Sequence, residues 1–183
     1  VDIAPTNIKA GMDIIVSGTL GDHAATVMAA RHNLTLPQGI MSDSAPLCHL
    51  TAAMLAEAPS IAVLRDPTRG GVAASLNELA GAAGVGILLD EAAIPVHPAV
   101  QGVCDILGFD PLTLANEGKL LAFVPPEDTE RVLAVMHADP HGRAACVIGH
   151  TTAEAPGSVG LRTALGGIRV VDLPLGELVP RIC

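Results

Sequence analysis

Apolar runs of five or six residues alternate along this chain with longer stretches whose apolar positions recur at helical spacing, and that alternation restricts the fold more than any single motif. DIIVSG (13–18), IAVLRD (61–66), VGILLD (85–90), KLLAFV (119–124), AACVIG (144–149), VGLRT (159–163) and IRVVDL (168–173) read as strands. GDHAATVMAARHNL (21–34), SDSAPLCHLTAAMLAEAP (42–59), VAASLNELAGAAG (72–84), HPAVQGVCDILG (97–108) and EDTERVLAVMHA (127–138) read as helices. Asp22 stands where it caps the first helix. Ser44 stands where it caps the second, with Pro46 in its first turn. Gly84 closes the third, and acids open the fifth, as the helix dipole favours. The LGG between the last two strands is a turn and predicts a hairpin. Mixed helices and strands closing in a hairpin indicate an α+β domain, a mixed β-sheet with helices packed on it, and leave the strand order open.

Composition narrows the class. The chain has 183 residues, enough for one core; half are apolar, yet there are two Phe and no Tyr or Trp, so the core is aliphatic. A net charge of −9 with no basic stripe and no stacking aromatics excludes nucleic-acid binding. No apolar run reaches the ~20 residues that span a bilayer, so no membrane partner is expected. Cys48, Cys104, Cys146 and Cys183 form no CxxC pair, and no His lies at zinc-finger spacing from them. Unpaired thiols of this kind suit a reducing cytoplasm. The seven histidines are scattered, so no metal site is expected from this chain alone. The first residues, VDIAPTNIKAG, are polar and read as an internal segment: a linker over 1–12, a domain over 13–174 and an aperiodic tail over 175–183.

Three loops carry candidate chemistry. Asp66-Pro67-Thr68-Arg69-Gly70-Gly71 lies between a buried-type strand and a helix. Its glycines let backbone approach a ligand, the helix start offers N–H groups to an anion, and Arg69 can bind phosphate or carboxylate. From spacing alone, a strand-to-helix turn with a surface Arg is the simpler reading. Asn116-Glu117-Gly118-Lys119 precedes a strand; Glu117 is either a general base or a solvated loop acid. Gly18-Thr19-Leu20-Gly21-Asp22-His23 follows the first strand, where His23 reads more simply as a cap than as an acid or base. Cys48, Cys104 and Cys146 sit in apolar runs and read as small core residues. Cys183 is different: a thiol at a chain end can react outside its own domain, although its adjacent carboxylate disfavours the thiolate. An incidental surface thiol is the equal alternative.

Taken together, SGTLGDH, SDSAPL, RDPTRGGVAASLNE, ANEGKL and the terminal PRIC resemble, in order and spacing, the C-terminal half of the HypE family of hydrogenase-maturation carbamoyl dehydratases, within the PurM-like superfamily of aminoimidazole ribonucleotide synthetase. The likeness runs from Asp13 to Cys183; Ala24-Ala25 after GDH, where a Gly is expected, is the visible departure. It implies an α/β/α unit that closes over an ATP and Mg²⁺ site held mostly by an N-terminal domain absent here, which also builds a homodimer. It implies that a carbamoyltransferase of the HypF type loads a carboxamide onto the thiol of Cys183. The enzyme then dehydrates it with ATP to a thiocyanate, and a HypC/HypD scaffold accepts the cyanide for the iron of [NiFe] hydrogenases. On this resemblance Cys183 is the covalent carrier and Glu117 the base. Asp66, Thr68, Arg69, Gly70, Gly71 and Asn116 line the nucleotide side. A thiol-independent PurM-like enzyme, related to selenophosphate synthetase or to amidine-forming purine enzymes, and a docking module without catalysis are the competing readings.

Overall fold

A computed structural model describes residues 2–35 and 40–173. Seven strands form one sheet: β1 (Asp13–Val16), β2 (Val63–Arg65), β3 (Gly86–Asp90), β4 (Leu121–Val124), β5 (Cys146–Thr152), β6 (Val159–Arg162) and β7 (Ile168–Val170). Their order is β2-β4-β1-β5-β3-β6-β7. All neighbours are antiparallel except β3 and β6, which makes the sheet mixed, as the sequence predicts. The helices are α1 (Asp22–Arg31), α2 (Cys48–Glu57), α3 (Gly71–Ala83), α4 (Pro98–Leu107) and α5 (Pro126–Ala138). The expected hairpin is present, with Leu161 opposite Arg169. The tail over 175–183, and Cys183 with it, lies outside the described residues.

The period-2 pattern sorts the core into two layers. Ile14 and Val16 of β1, with Leu121 and Phe123 of β4, face α3 through Val72, Ala73, Leu76 and Leu79. The intervening Ile15, Ala122 and Val124 face α2 and α5 through Leu50, Met54, Val132 and Met136. Helices thus cover both faces, and a third cluster joins α1 to α4 around Val100, Val103 and Leu114. Residues 2–12 lie against this body: Ile8 and Met12 are in the core, and the Met12 N–H donates to Thr151 Oγ1 at 2.8 Å.

Several sequence expectations need correction. The second helix begins at Cys48, not near 42; Leu47 is its N-cap and makes no side-chain cap bond. Residues 42–47 form no helix because Pro46 disfavours a helical residue before it and because the Asp43 carboxylate is engaged across the chain. Ser44 therefore caps nothing; its own N–H donates to Ser42 Oγ at 3.2 Å. Nor does Asp22 cap α1, since Gly21 holds that place at φ 81°. Cys48 is exposed rather than in the core, because the face of α2 that meets the sheet is Leu50 and Met54.

Gly71 is where backbone conformation most constrains sequence. Its φ is +62°, and a Cβ there would stand 2.5 Å from the carbonyl oxygens of both Leu112 and Leu114. Gly71→Ala should therefore lower stability by ~2–5 kcal/mol, combining the left-handed penalty with overpacking against backbone. Urea unfolding of the variant measures it; an unchanged midpoint contradicts the packing described.

Candidate functional site

The strand order builds the site. β4 lies between β1 and β2 and runs antiparallel to both, so its start sits beside their ends. The loops that leave β1 (17–21) and β2 (66–70) therefore meet the loop that enters β4 (114–120). Ser17 continues the pairing past the strand: its N–H donates to the Leu120 carbonyl, and its Oγ accepts the Leu120 N–H, each at 3.0 Å.

Asn116 ties these loops together. It is wholly buried. Its Oδ1 accepts the Gly21 N–H at 2.8 Å, and its Nδ2 donates to the carbonyls of Pro67 (3.1 Å) and Leu114 (2.9 Å). Its backbone N–H also donates to Pro67, at 3.2 Å. The amide therefore positions the loops on which the other candidates stand. The Asp66-to-Gly71 segment crosses directly over it. Asp66 and Arg69 are exposed and Thr68 half-buried, while Gly70, at φ 72°, caps α3.

Glu117 follows Asn116 and is exposed, and its carboxylate has no hydrogen-bond or ion-pair partner among the described residues. Its backbone N–H donates to Asp43 Oδ1 at 3.0 Å. Gly118 is buried with the Asp43 carbonyl against it, so a Cβ there would stand 1.7 Å from that oxygen. Lys119 lies along Gly18 and is nearly enclosed; its Nζ is 3.3 Å from Asp43 Oδ2 and 3.7 Å from Asp22 Oδ2. Asp22 also accepts the Thr19 hydroxyl. His23 is buried and pairs through Nδ1 with Ser42 Oγ at 2.8 Å, so it bridges to the 42–45 segment rather than capping α1.

Four sequence segments, 18–23, 42–45, 66–71 and 116–119, thus converge on one end of the sheet. Sequence reasoning singled out the Asp66 loop, His23 and the Asn116-to-Lys119 loop, but missed the roles of Asp22, Asp43 and Lys119. Asp43 was hidden in a stretch read as helix. The absence of apolar periodicity over 42–46 was the available signal. Among the described residues no group of three or more His, Cys, Asp or Glu side chains could hold a metal ion, so no ion is placed on these side chains. No helix among them is long and apolar enough to cross a membrane.

Two thiols lie outside this end, Cys104 buried and Cys146 half-buried. Burial, with Asp105 and Asp110 adding repulsion, pushes the Cys104 thiol up to about 11, and burial also raises Cys146.

Residues 9–162 match the family model described as AIR synthase related protein, C-terminal domain. The chain is 50% identical over 182 residues to carbamoyl dehydratase HypE of Rhodobacter capsulatus, covering all of this chain and 54% of that protein. A crystal structure of hydrogenase maturation protein HypE in complex with ATP superposes with a TM-score of 0.92 at 41% identity, over 99% of this chain and 55% of that one. A crystal structure of a HypE–HypF complex superposes with a TM-score of 0.89 at 39% identity, over 94% of this chain and 56% of that one. The chain spans about half the length of the curated relatives it matches.

Two outcomes follow from this geometry. Asn116→Ala leaves the Gly21 N–H and the Leu114 carbonyl without their partner, while the Pro67 carbonyl keeps the backbone N–H of residue 116, and should cost ~2–4 kcal/mol, since each buried unpaired group costs about 1–3; a melting shift of only a degree or two speaks against it. Near neutral pH an alkylating reagent should label Cys48 on the native fold but Cys104 only after denaturation, as peptide mass mapping reads directly. Native labelling of Cys104 at the rate of Cys48 contradicts the burial described.

Proposed function

We propose, because this chain belongs to the family of AIR synthase related proteins as their C-terminal domain, that it is the thiol-bearing half of an ATP-dependent carbamoyl dehydratase. The convergence of the loops around Glu117 carries the reading: an exposed carboxylate is set on a loop braced from below by Asn116, Asp43 and Lys119. The likeness to carbamoyl dehydratase HypE and to its complex with ATP supports the same activity.

In this reading Cys183 carries a carboxamide as an S-linked thiocarboxamide. ATP supplies a phosphoryl group that turns the amide oxygen into a leaving group, with ADP released. Each turnover removes two N–H protons from the carboxamide, breaks the C–O bond and forms C≡N as phosphate departs. Glu117 accepts one of these protons at nitrogen, which requires an ionised acid within hydrogen-bonding reach, and the other passes to solvent. Cys104 is disqualified as the carrier by burial, which raises its thiol. Thr68, Arg69, Gly70 and Gly71 form the phosphate side, at the start of α3. Asp66 and Asn116 frame that loop.

The Mg²⁺ that accompanies ATP falls to the other half of the enzyme. The HypE–HypF complex supports a HypF-type carbamoyltransferase as the loading partner. A HypC/HypD scaffold receives the cyanide, the other half supplies the homodimer contact, and the unpaired thiols fit the cytoplasm.

In the full-length protein, Glu117→Gln should leave loading intact and slow dehydration by ~10²–10⁴-fold, the usual worth of a general base. Cys183→Ala should abolish loading while the fold persists. Single-turnover assays with the loaded protein check both. Wild-type dehydration by Glu117→Gln overturns the base assignment, and undiminished cyanide delivery by Cys183→Ala overturns the carrier.

A further inference from the structure

The Asp43 carboxylate is unusual for its position. The residues on either side of it belong to no helix or strand and are exposed, yet its side chain is only 3% exposed. Burying a carboxylate is costly unless its oxygens are engaged. One oxygen accepts the peptide N–H of Glu117, and the other faces the Lys119 ammonium at 3.3 Å, with no hydrogen bond of its own. Lys119 is in turn drawn toward Asp22 at 3.7 Å, so one cation is shared between two acids from different loops. The Asp43 carbonyl also closes over Gly118. Asp43 therefore grips the residue before Gly118 and the residue after it, and Glu117 alone of the three projects outward.

That arrangement has a consequence for chemistry. An exposed Glu side chain on a loop samples many positions, and a base must sit within hydrogen-bonding reach of the proton that it takes. Misplacement by about 1 Å can cost ~10²-fold in rate. Fixing the peptide of Glu117 removes most of the backbone contribution to that wander.

We propose that Asp43 is a positioning residue for the dehydration step, holding the Glu117 peptide N–H with one carboxylate oxygen and Lys119 with the other so that the Glu117 carboxylate is set at the carboxamide nitrogen. The inference rests on the assignment of Glu117 as base. Asp43 touches no reacting atom, so its removal should slow dehydration without changing loading or the use of ATP.

The test uses the full-length protein with its loading partner and ATP, and compares wild type, Asp43→Ala, Glu117→Gln and the double variant in single-turnover dehydration. Asp43→Ala should load normally, keep its KM for ATP within about twofold and dehydrate ~10–100-fold more slowly, in line with the geometric sensitivity above. In the Glu117→Gln background the same substitution should add less than about threefold, because there is no base left to position, and interacting residues are not additive. A purely structural Asp43 gives equal losses in both backgrounds, and that result overturns the inference. So does a wild-type rate for Asp43→Ala. If Asp43→Ala does not fold, the nearly isosteric Asp43→Asn replaces it in both backgrounds, read by the same criterion. A fully active Glu117→Gln single variant shows instead that the base assignment itself has failed.

Discussion

The buried amide of Asn116 is the interaction on which the site depends. Its oxygen and both amide hydrogens are used by backbone groups of three different segments. A donor or acceptor left unpaired in that interior costs about as much as a hydrogen bond is worth, so the segments either meet in this register or do not pack at all. Only an amide serves. A carboxylate would face the carbonyls of Pro67 and Leu114 with no proton to give, and an apolar side chain would strand the Gly21 N–H. The sheet makes the meeting possible, because an antiparallel β4 between β1 and β2 brings its own beginning to the ends of both neighbours.

Charge then finishes what the amide begins. Lys119, Asp22 and Asp43 form a triangle whose cation is nearly enclosed, and such a group is costly to disrupt from one side because it leaves the other charges buried and unpaired. The order from interior to surface is Asn116, then Lys119 with its two acids, then Glu117. Rigidity falls to a single outward side chain at the position where chemistry is proposed. Elsewhere burial raises the thiols of Cys104 and Cys146 above their ordinary value.

Much of this was legible in the sequence, for identifiable reasons. Strands β3, β4 and β6 and helices α3 and α5 are regular because their apolar periods are uninterrupted and their ends carry local signals, such as Gly84 at φ 66° after α3. The α+β class followed from that alternation. The start of α2 was misread because Ser44 and Pro46 imitate a helix N-terminus; a long-range contact, Asp43 to Glu117 across 74 positions, outweighed the local signal. Asp22 was misread for a similar reason, since its partner Lys119 is distant in sequence and Gly21, in a left-handed conformation, takes the N-cap position. Glu117 and the Asp66 loop were found by motif, but their proximity depends on strand order, which periodicity does not encode. Lys119 was read as the first residue of a strand when it is the cationic centre of the site.

The central claim is that the last residue of the chain carries a carboxamide which loses water at the expense of ATP. The most direct measurement is the mass of the C-terminal peptide of the full-length protein, taken after the carbamoyl-loading system has acted and again after ATP is added. The account predicts a peptide that first gains one carboxamide group on Cys183 and then loses the mass of one water, with each loss matched by one ADP. A Cys183 that is never modified, or a carboxamide that persists unchanged while ATP is consumed, would contradict it.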